Sequence, residues 1–164
     1  MSAVRVLGVD PGLAITGYAC VELAALLGEP RVVEAGAIRL RAGAPLPLRL
    51  RQLDEELDAL LDELRPTHLV VEQVFTHAAH PRTGVLMAHA RGVVLLAGAR
   101  RALAIDELPP ATVKKAMTGR GQATKRQMQL AVMSQCGLAD PPEPADVADA
   151  IAIAVTGARR LARW

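Results

Sequence analysis

Four carboxylates stand in segments otherwise written for a protein interior. Asp10 ends Val-Arg-Val-Leu-Gly-Val-Asp, Glu72 ends His-Leu-Val-Val-Glu, and Asp146 and Asp149 open Asp-Val-Ala-Asp-Ala-Ile-Ala-Ile-Ala-Val. An ionised carboxylate removed from water without a partner takes up a proton rather than stay charged. A fold for this chain must therefore bring these acids to hydrogen-bond donors or to a cation, and clusters of carboxylate oxygens suit magnesium or manganese. The remaining thirteen of the seventeen acids mostly lie in polar, helical or turn-like surroundings where solvation is explanation enough.

A chain of 164 residues with 51% hydrophobic content fits one globular domain over 1–164, with a sizeable core and no room for a second lobe. The N-terminus runs directly into a strand-like segment broken by Pro11-Gly12, so neither a signal peptide nor a membrane anchor is expected, and a cytoplasmic location follows. The longest apolar stretch, 84–99, is interrupted by His89 and Arg91 and is too short to span a bilayer. Cys20 and Cys136 lack metal spacing and read as reduced, buried small residues.

Periodicity then places the acids. Residues 4–10, 16–23 and 31–40 read as strands joined by short turns, an antiparallel meander. Leu46, Leu50, Leu53, Leu57, Leu60 and Leu64 recur at three- and four-residue intervals, which predicts an amphipathic helix over 46–64 stopped by Pro66. Thr67–Glu72 reads as a buried strand, 84–102 as a helix, 103–107 as a fifth strand, and 110–118, 124–136 and 144–163 as helices. The expectation is an α/β fold with a mixed five-stranded sheet flanked by helices. Asp10 and Glu72 then end two strands, where ligands of open α/β sheets collect. Asp146 and Asp149, three apart on one helix, share a face. A first-turn acid after Pro144 is also favoured by the helix dipole, so Asp146 has an ordinary reading. Asp149 lies a turn deeper, ahead of a run apolar on all sides, and has none.

Charge is divided along the chain. Residues 52–72 carry seven acids against Arg65, whereas 75–135 carry nine Lys or Arg against Asp106 and Glu107, a candidate anion-facing region. The chain's three lysines, Lys114, Lys115 and Lys125, fall within twelve residues of one another. Thr124 and Gln127 have the spacing of a capping box, which sets Lys125 and Arg126 in a first helical turn where cations oppose the dipole. A phosphate docked at that N-terminus would account for them, and Gly119-Arg120-Gly121 supplies a flexible basic loop just ahead. Solvent-exposed charge is the plainer alternative.

Taken in order, Leu-Gly-Val-Asp-Pro-Gly with Thr16-Gly17-Tyr18, Val-Val-Glu-Gln-Val-Phe, Ala-Arg-Gly at 90–92, Ala-Thr-Val-Lys at 111–114, the Lys125 segment and Asp146-Val-Ala-Asp149-Ala-Ile-Ala-Ile-Ala cover almost the whole chain. The ordered set resembles the RuvC family of Holliday-junction resolvases. The resemblance implies a ribonuclease-H-like fold and a homodimeric endonuclease that cuts two opposed strands of a four-way DNA junction during recombination and repair, leaving 5′-phosphate ends that a ligase can seal. It implies Asp10, Glu72, Asp146 and Asp149 as catalytic metal ligands and a branch-migration motor complex as partner. It also implies DNA contacts from Lys114 and Lys125 and stacking of Phe75, the chain's one phenylalanine, at the junction centre. Lys115, Arg120 and Arg126 are further DNA-contact candidates.

The chemistry is consistent with that picture. Phosphodiester hydrolysis needs an activated water, relief of gathering negative charge and a stabilised leaving oxygen, which two divalent ions about 3.5–4 Å apart can supply. Asp10 is the natural bridging ligand. His77 and His80 read as loop residues rather than ligands, since no Cys or further His stands near them. The surplus apolar surface of 84–99 suggests a dimer interface, with a core position as the competing reading. Three rivals are an actin-like phosphotransferase, whose second lobe is missing, a non-catalytic junction-binding module, and a related nuclease acting on structured RNA.

Overall fold

A computed structural model describes residues 3–24, 28–74 and 81–162. The elements follow the order β1 (Val4–Asp10), β2 (Ile15–Leu23), β3 (Arg31–Arg39), α1 (Leu46–Leu64), β4 (His68–Glu72), α2 (Pro81–Arg100), β5 (Ala104–Leu108), α3 (Pro110–Thr118), α4 (Lys125–Cys136) and α5 (Ala145–Leu161). The strands form one sheet in the order β3-β2-β1-β4-β5. The first three strands pair antiparallel, as the short turns between them demand, while β4 and β5 join in parallel after helical crossovers. This is the expected mixed five-stranded α/β sheet.

Local chemistry sets the boundaries. The helix over 46–64 falls where the leucine interval places it, and Arg65 closes it in a left-handed conformation (φ 48°) directly before Pro66. A residue ahead of proline is disfavoured in the right-handed α region, which ends the helix here, and the left-handed conformation Arg65 takes instead is uncommon for a residue with a side chain. Helix α2 begins at Pro81, three residues earlier than the apolar run, since a proline at the first helical position forfeits no intrahelical bond. The capping box at α4 is complete: the Thr124 hydroxyl accepts from Gln127 N (3.2 Å) and the Gln127 side chain accepts from Thr124 N (2.9 Å).

Alternation along the strands divides the core into two layers. Leu7, Val9, Cys20, Ile38, Leu69 and Val71 face α1 and α2, where Leu53, Leu57, Leu61 and Leu64 of α1 meet Ala90, Val94 and Ala97 of α2. Each leucine fully buried there contributes about 1.5–3 kcal/mol. Val6, Ala19, Val21 and Val70 face the other way, onto α5 with α3 and α4 outside it. Residues 150–158 of α5 are buried without exception, so the run that is apolar on all sides is the central helix of that layer.

The two charge blocks turn out to answer one another. Arg101, in the turn just after α2, reaches Asp58 (2.6 Å) and Asp62 (2.8 Å) of α1, Arg100 bonds Asp54 and Asp58, and Arg91 pairs with Glu107 of β5. Three of the nine cations in 75–135 are thus spent clamping α2 to its neighbours. The six that remain are Arg82 on the first turn of α2 and five on α3, the loop after it and the start of α4.

Candidate functional site

Even-numbered residues of β1 and β4 face α5, as Val6 and Val70 show, and Val9 pairs with Val71 in parallel register. One step further along, the same alternation points Asp10 and Glu72 to the α5 side at adjacent strand ends. The turn after Asp10 is held by Thr16, a fully buried residue whose hydroxyl accepts from Gly12 N (3.1 Å) and donates to Gly12 O (2.7 Å). Helix α5 crosses directly over β1 and β2. A Cβ placed on Gly8 would lie 2.4 Å from Ala154 N, and one on Gly17 2.0 Å from Asp146 O. Gly17 lets the first turn of α5 settle against β2, and Gly8 lets the middle of the helix lie on β1.

The result is a cleft of about 520 Å³ whose lining includes Asp10, Glu72, Asp146 and Asp149 together with Lys125, Arg49 and Thr83. Residues more than 130 positions apart in sequence thus line one cleft. Among the described residues no three acids close into a tight metal cage. The carboxylates instead line an open cleft, which keeps space for a substrate beside any bound ion.

Their electrostatics mark an incomplete site. Burial, followed by the charges of Glu72, Asp149 and Asp146, pushes Asp10 up to about 8, with Lys125 opposing. Burial and then Asp149 raise Glu72 to about 7, against Lys114. Asp149 is raised chiefly by burial, with Lys125 and Lys114 opposing and Asp146 adding to the rise. Carboxylates held this way are short of positive charge, and a hard divalent cation is what an oxygen-only donor set of this kind accepts. The residues fit magnesium or manganese.

A pH dependence follows for the metal-free protein. Asp10 titrates at 3.8 in an unfolded chain and near 8 when folded, so the native state binds more protons than the unfolded state between those values. Its contribution to stability is complete below the lower value and is lost as pH rises through the upper one. In chelator, the thermal midpoint should fall from pH 5 to pH 8. Magnesium should raise it more at pH 8 than at pH 5, and Asp10→Asn should flatten the slope; a differential scanning series reads all three.

The other sequence candidates divide. Lys125 lines the cleft, and Lys114 on α3 acts on Glu72 and Asp149 through its charge. Arg126 is exposed beside Lys125, and Arg120 is exposed in the loop between α3 and α4. Lys115 does not line the cleft; it lines a separate groove with Thr112, Thr156, Arg159 and Arg160. Phe75, His77 and His80 lie outside the described residues. Arg49 was not anticipated, although a signal existed. It sits three residues after Leu46 and four before Leu53, on the inward stripe of α1, where a solvated arginine has no reason to be.

A mixed sheet of this topology, with acids gathered at the ends of β1 and β4 and on a helix laid across them, defines the ribonuclease-H-like class. A family model for "Crossover junction endodeoxyribonuclease RuvC" matches residues 6–157. A protein of that name from Rhodopirellula baltica is 45% identical over 158 residues, covering 95% of this chain and 86% of its own, and one from Brevibacillus brevis is 39% identical over 155 residues, covering 94% and 92%. Among solved structures, RuvC of Thermus thermophilus in complex with a Holliday junction substrate superposes with a TM-score of 0.84 at 28% identity, covering 96% of both chains. The chain belongs to the RuvC family.

Proposed function

We propose that this protein is a divalent-metal-dependent endonuclease that resolves four-way DNA junctions by paired, symmetric incision of opposed strands, acting as a single nuclease domain. The observation that carries the reading is the convergence of Asp10, Glu72, Asp146 and Asp149 on one open cleft flanked by Lys125 and Lys114. Family membership supplies the substrate. An acidic cleft alone would repel DNA, and the lysines beside it offset that repulsion where a phosphate enters.

In this reading Asp10, Glu72, Asp146 and Asp149 would together hold magnesium or manganese, two ions being the expected number, and Asp10 is the acid on which the charges of the other three all act. Bound ions supply charge neutralisation and a water of raised acidity. The protein's own part is positional. Strand ends fix Asp10 and Glu72, the Thr16 lock sets the turn beyond Asp10, and the first turns of α5 present their two acids from the facing layer. Lys114 and Lys125 hold the scissile strand by its phosphates; water attacks the phosphorus, the bond to the 3′ oxygen breaks and that oxygen takes up a proton, which leaves a 5′-phosphate and a 3′-hydroxyl.

Paired incision needs two copies of this cleft. Val85, Leu86 and Leu96 of α2 are exposed apolar residues that support a homodimer through this helix, setting two identical sites against a near two-fold junction. A branch-migration motor complex is the proposed partner and the cytoplasm the proposed location. Among the described residues no helix is long and apolar enough to cross a membrane.

The test compares a four-way junction, a linear duplex and an RNA hairpin in magnesium and in manganese. Paired nicking of the junction, absent in chelator, is expected; preference for the hairpin would select the RNA-directed alternative, and binding without incision the non-catalytic one. In the same assay Lys125→Ala should weaken junction binding and lower the slope of log affinity against log salt by about one. An unchanged slope would return Lys125 to the solvated surface.

A further inference from the structure

Arg49 occupies an unusual position. It stands on the first turn of α1, is half-buried and lines the acid cleft, and its Nε is enclosed with no hydrogen-bond partner among the described residues. Four carboxylates line the same cleft, yet Arg49 forms no ion pair with any of them, whereas Arg91, Arg100 and Arg101 all do so elsewhere. Arg91 Nε is enclosed without a partner too, but its guanidinium is paired with Glu107, whereas Arg49 has no such pair, and an acceptor bound in the cleft would relieve the desolvation cost of its enclosed donor. The neighbouring turn Gly12–Ile15 and Thr83, Leu86 and Met87 of α2 complete that wall. Lys125 lines the same cleft from the start of α4, which belongs to the layer on the opposite face of the sheet from α1.

We propose that Arg49 is a substrate contact that grips a phosphate of the cleaved strand on the α1 side of the acid cluster, opposite the contact made by Lys125. The planar guanidinium offers two parallel donors to one phosphate, an arrangement that an ammonium does not reproduce. Gripped at both residues, the strand is held across the carboxylates with the scissile phosphate over them. Without Arg49, one side of the strand swings free while the metal ligands stay intact. The assignment rests on the junction-cleaving function proposed above.

The experiment measures single-turnover cleavage of a four-way junction at saturating protein, together with the salt dependence of junction binding in calcium, for wild type, Arg49→Ala and Arg49→Lys. Arg49→Ala should cut at least about tenfold more slowly and lower the salt slope by about one. Arg49→Lys should restore the slope and leave the rate depressed, a separation that loss of folding would not produce. Thermal midpoints close to wild type for both variants are expected, since no ion pair is lost. An Arg49→Ala protein with the wild-type rate and slope overturns the assignment. Failure of the wild type itself to cut the junction overturns the functional reading instead, so the two failures are told apart by the first lane of the assay.

Discussion

Asp10→Asn should abolish junction incision while leaving junction binding in calcium close to normal. The effect is expected to be about a hundredfold or more on the single-turnover rate, because Asp10 stands where the influences of the other three acids meet and its loss would remove one carboxylate from the proposed metal site. Stability should move the other way. The carboxylate is pushed up to about 8 by burial and by three neighbouring acids, and a neutral amide of the same shape escapes that repulsion. In chelator at pH 8 the variant should therefore melt above the wild type, and magnesium should raise its midpoint less. Higher stability combined with lost activity separates a metal ligand from a residue that holds the fold. Wild-type incision by Asp10→Asn in magnesium would sink the proposed role.

Gly17→Ala tests the geometry rather than the chemistry. The added methyl would sit 2.0 Å from Asp146 O and 2.6 Å from Asp146 C. Both are backbone atoms of α5, and no side-chain rotation relieves the overlap, so the start of the helix must lift. Overpacking of this severity costs about 3 kcal/mol. Asp146 and Asp149 move with the lifted turn, so metal-dependent incision should fail even at temperatures where the variant remains folded. Gly92→Ala is the contrast: nothing of the same chain lies within 4 Å of the added methyl on the exposed face of α2, so any loss there would come from the proposed dimer contact of that face and not from packing against α5. Chemical denaturation of the two variants beside wild type reads the difference. A Gly17→Ala protein as stable and active as wild type would mean that α5 does not approach β2 so closely.

Much of the architecture was legible in the sequence because local signals there are strong and unopposed. The leucine interval gave α1 its bounds, Thr124 and Gln127 gave the start of α4, and apolar runs ended by turn residues gave the strands, β5 being displaced by one residue. The acids were conspicuous for being in the wrong company. Charge was less faithful. Arg91, Arg100 and Arg101 counted toward an anion-facing region until ion pairs with α1 and β5 claimed them, and Lys115 proved to line a different groove from Lys125. Net charge over a window records how many cations are present but carries nothing about which carboxylate each will find.

By itself the sequence determined the kinds of element, the four unexplained carboxylates and the family to which the chain belongs, since each is written in neighbouring residues or in an ordered set of motifs. Tertiary structure decided which of those groups meet. Parallel register of β1 with β4 turned Asp10 and Glu72 toward one face, the missing side chains at Gly8 and Gly17 let α5 descend onto it, and the first turn of α1 brought Arg49 to the same cleft. Those relations join positions separated by tens to more than a hundred residues, and strand register and close backbone approach, which decide them, leave no periodic trace along the chain.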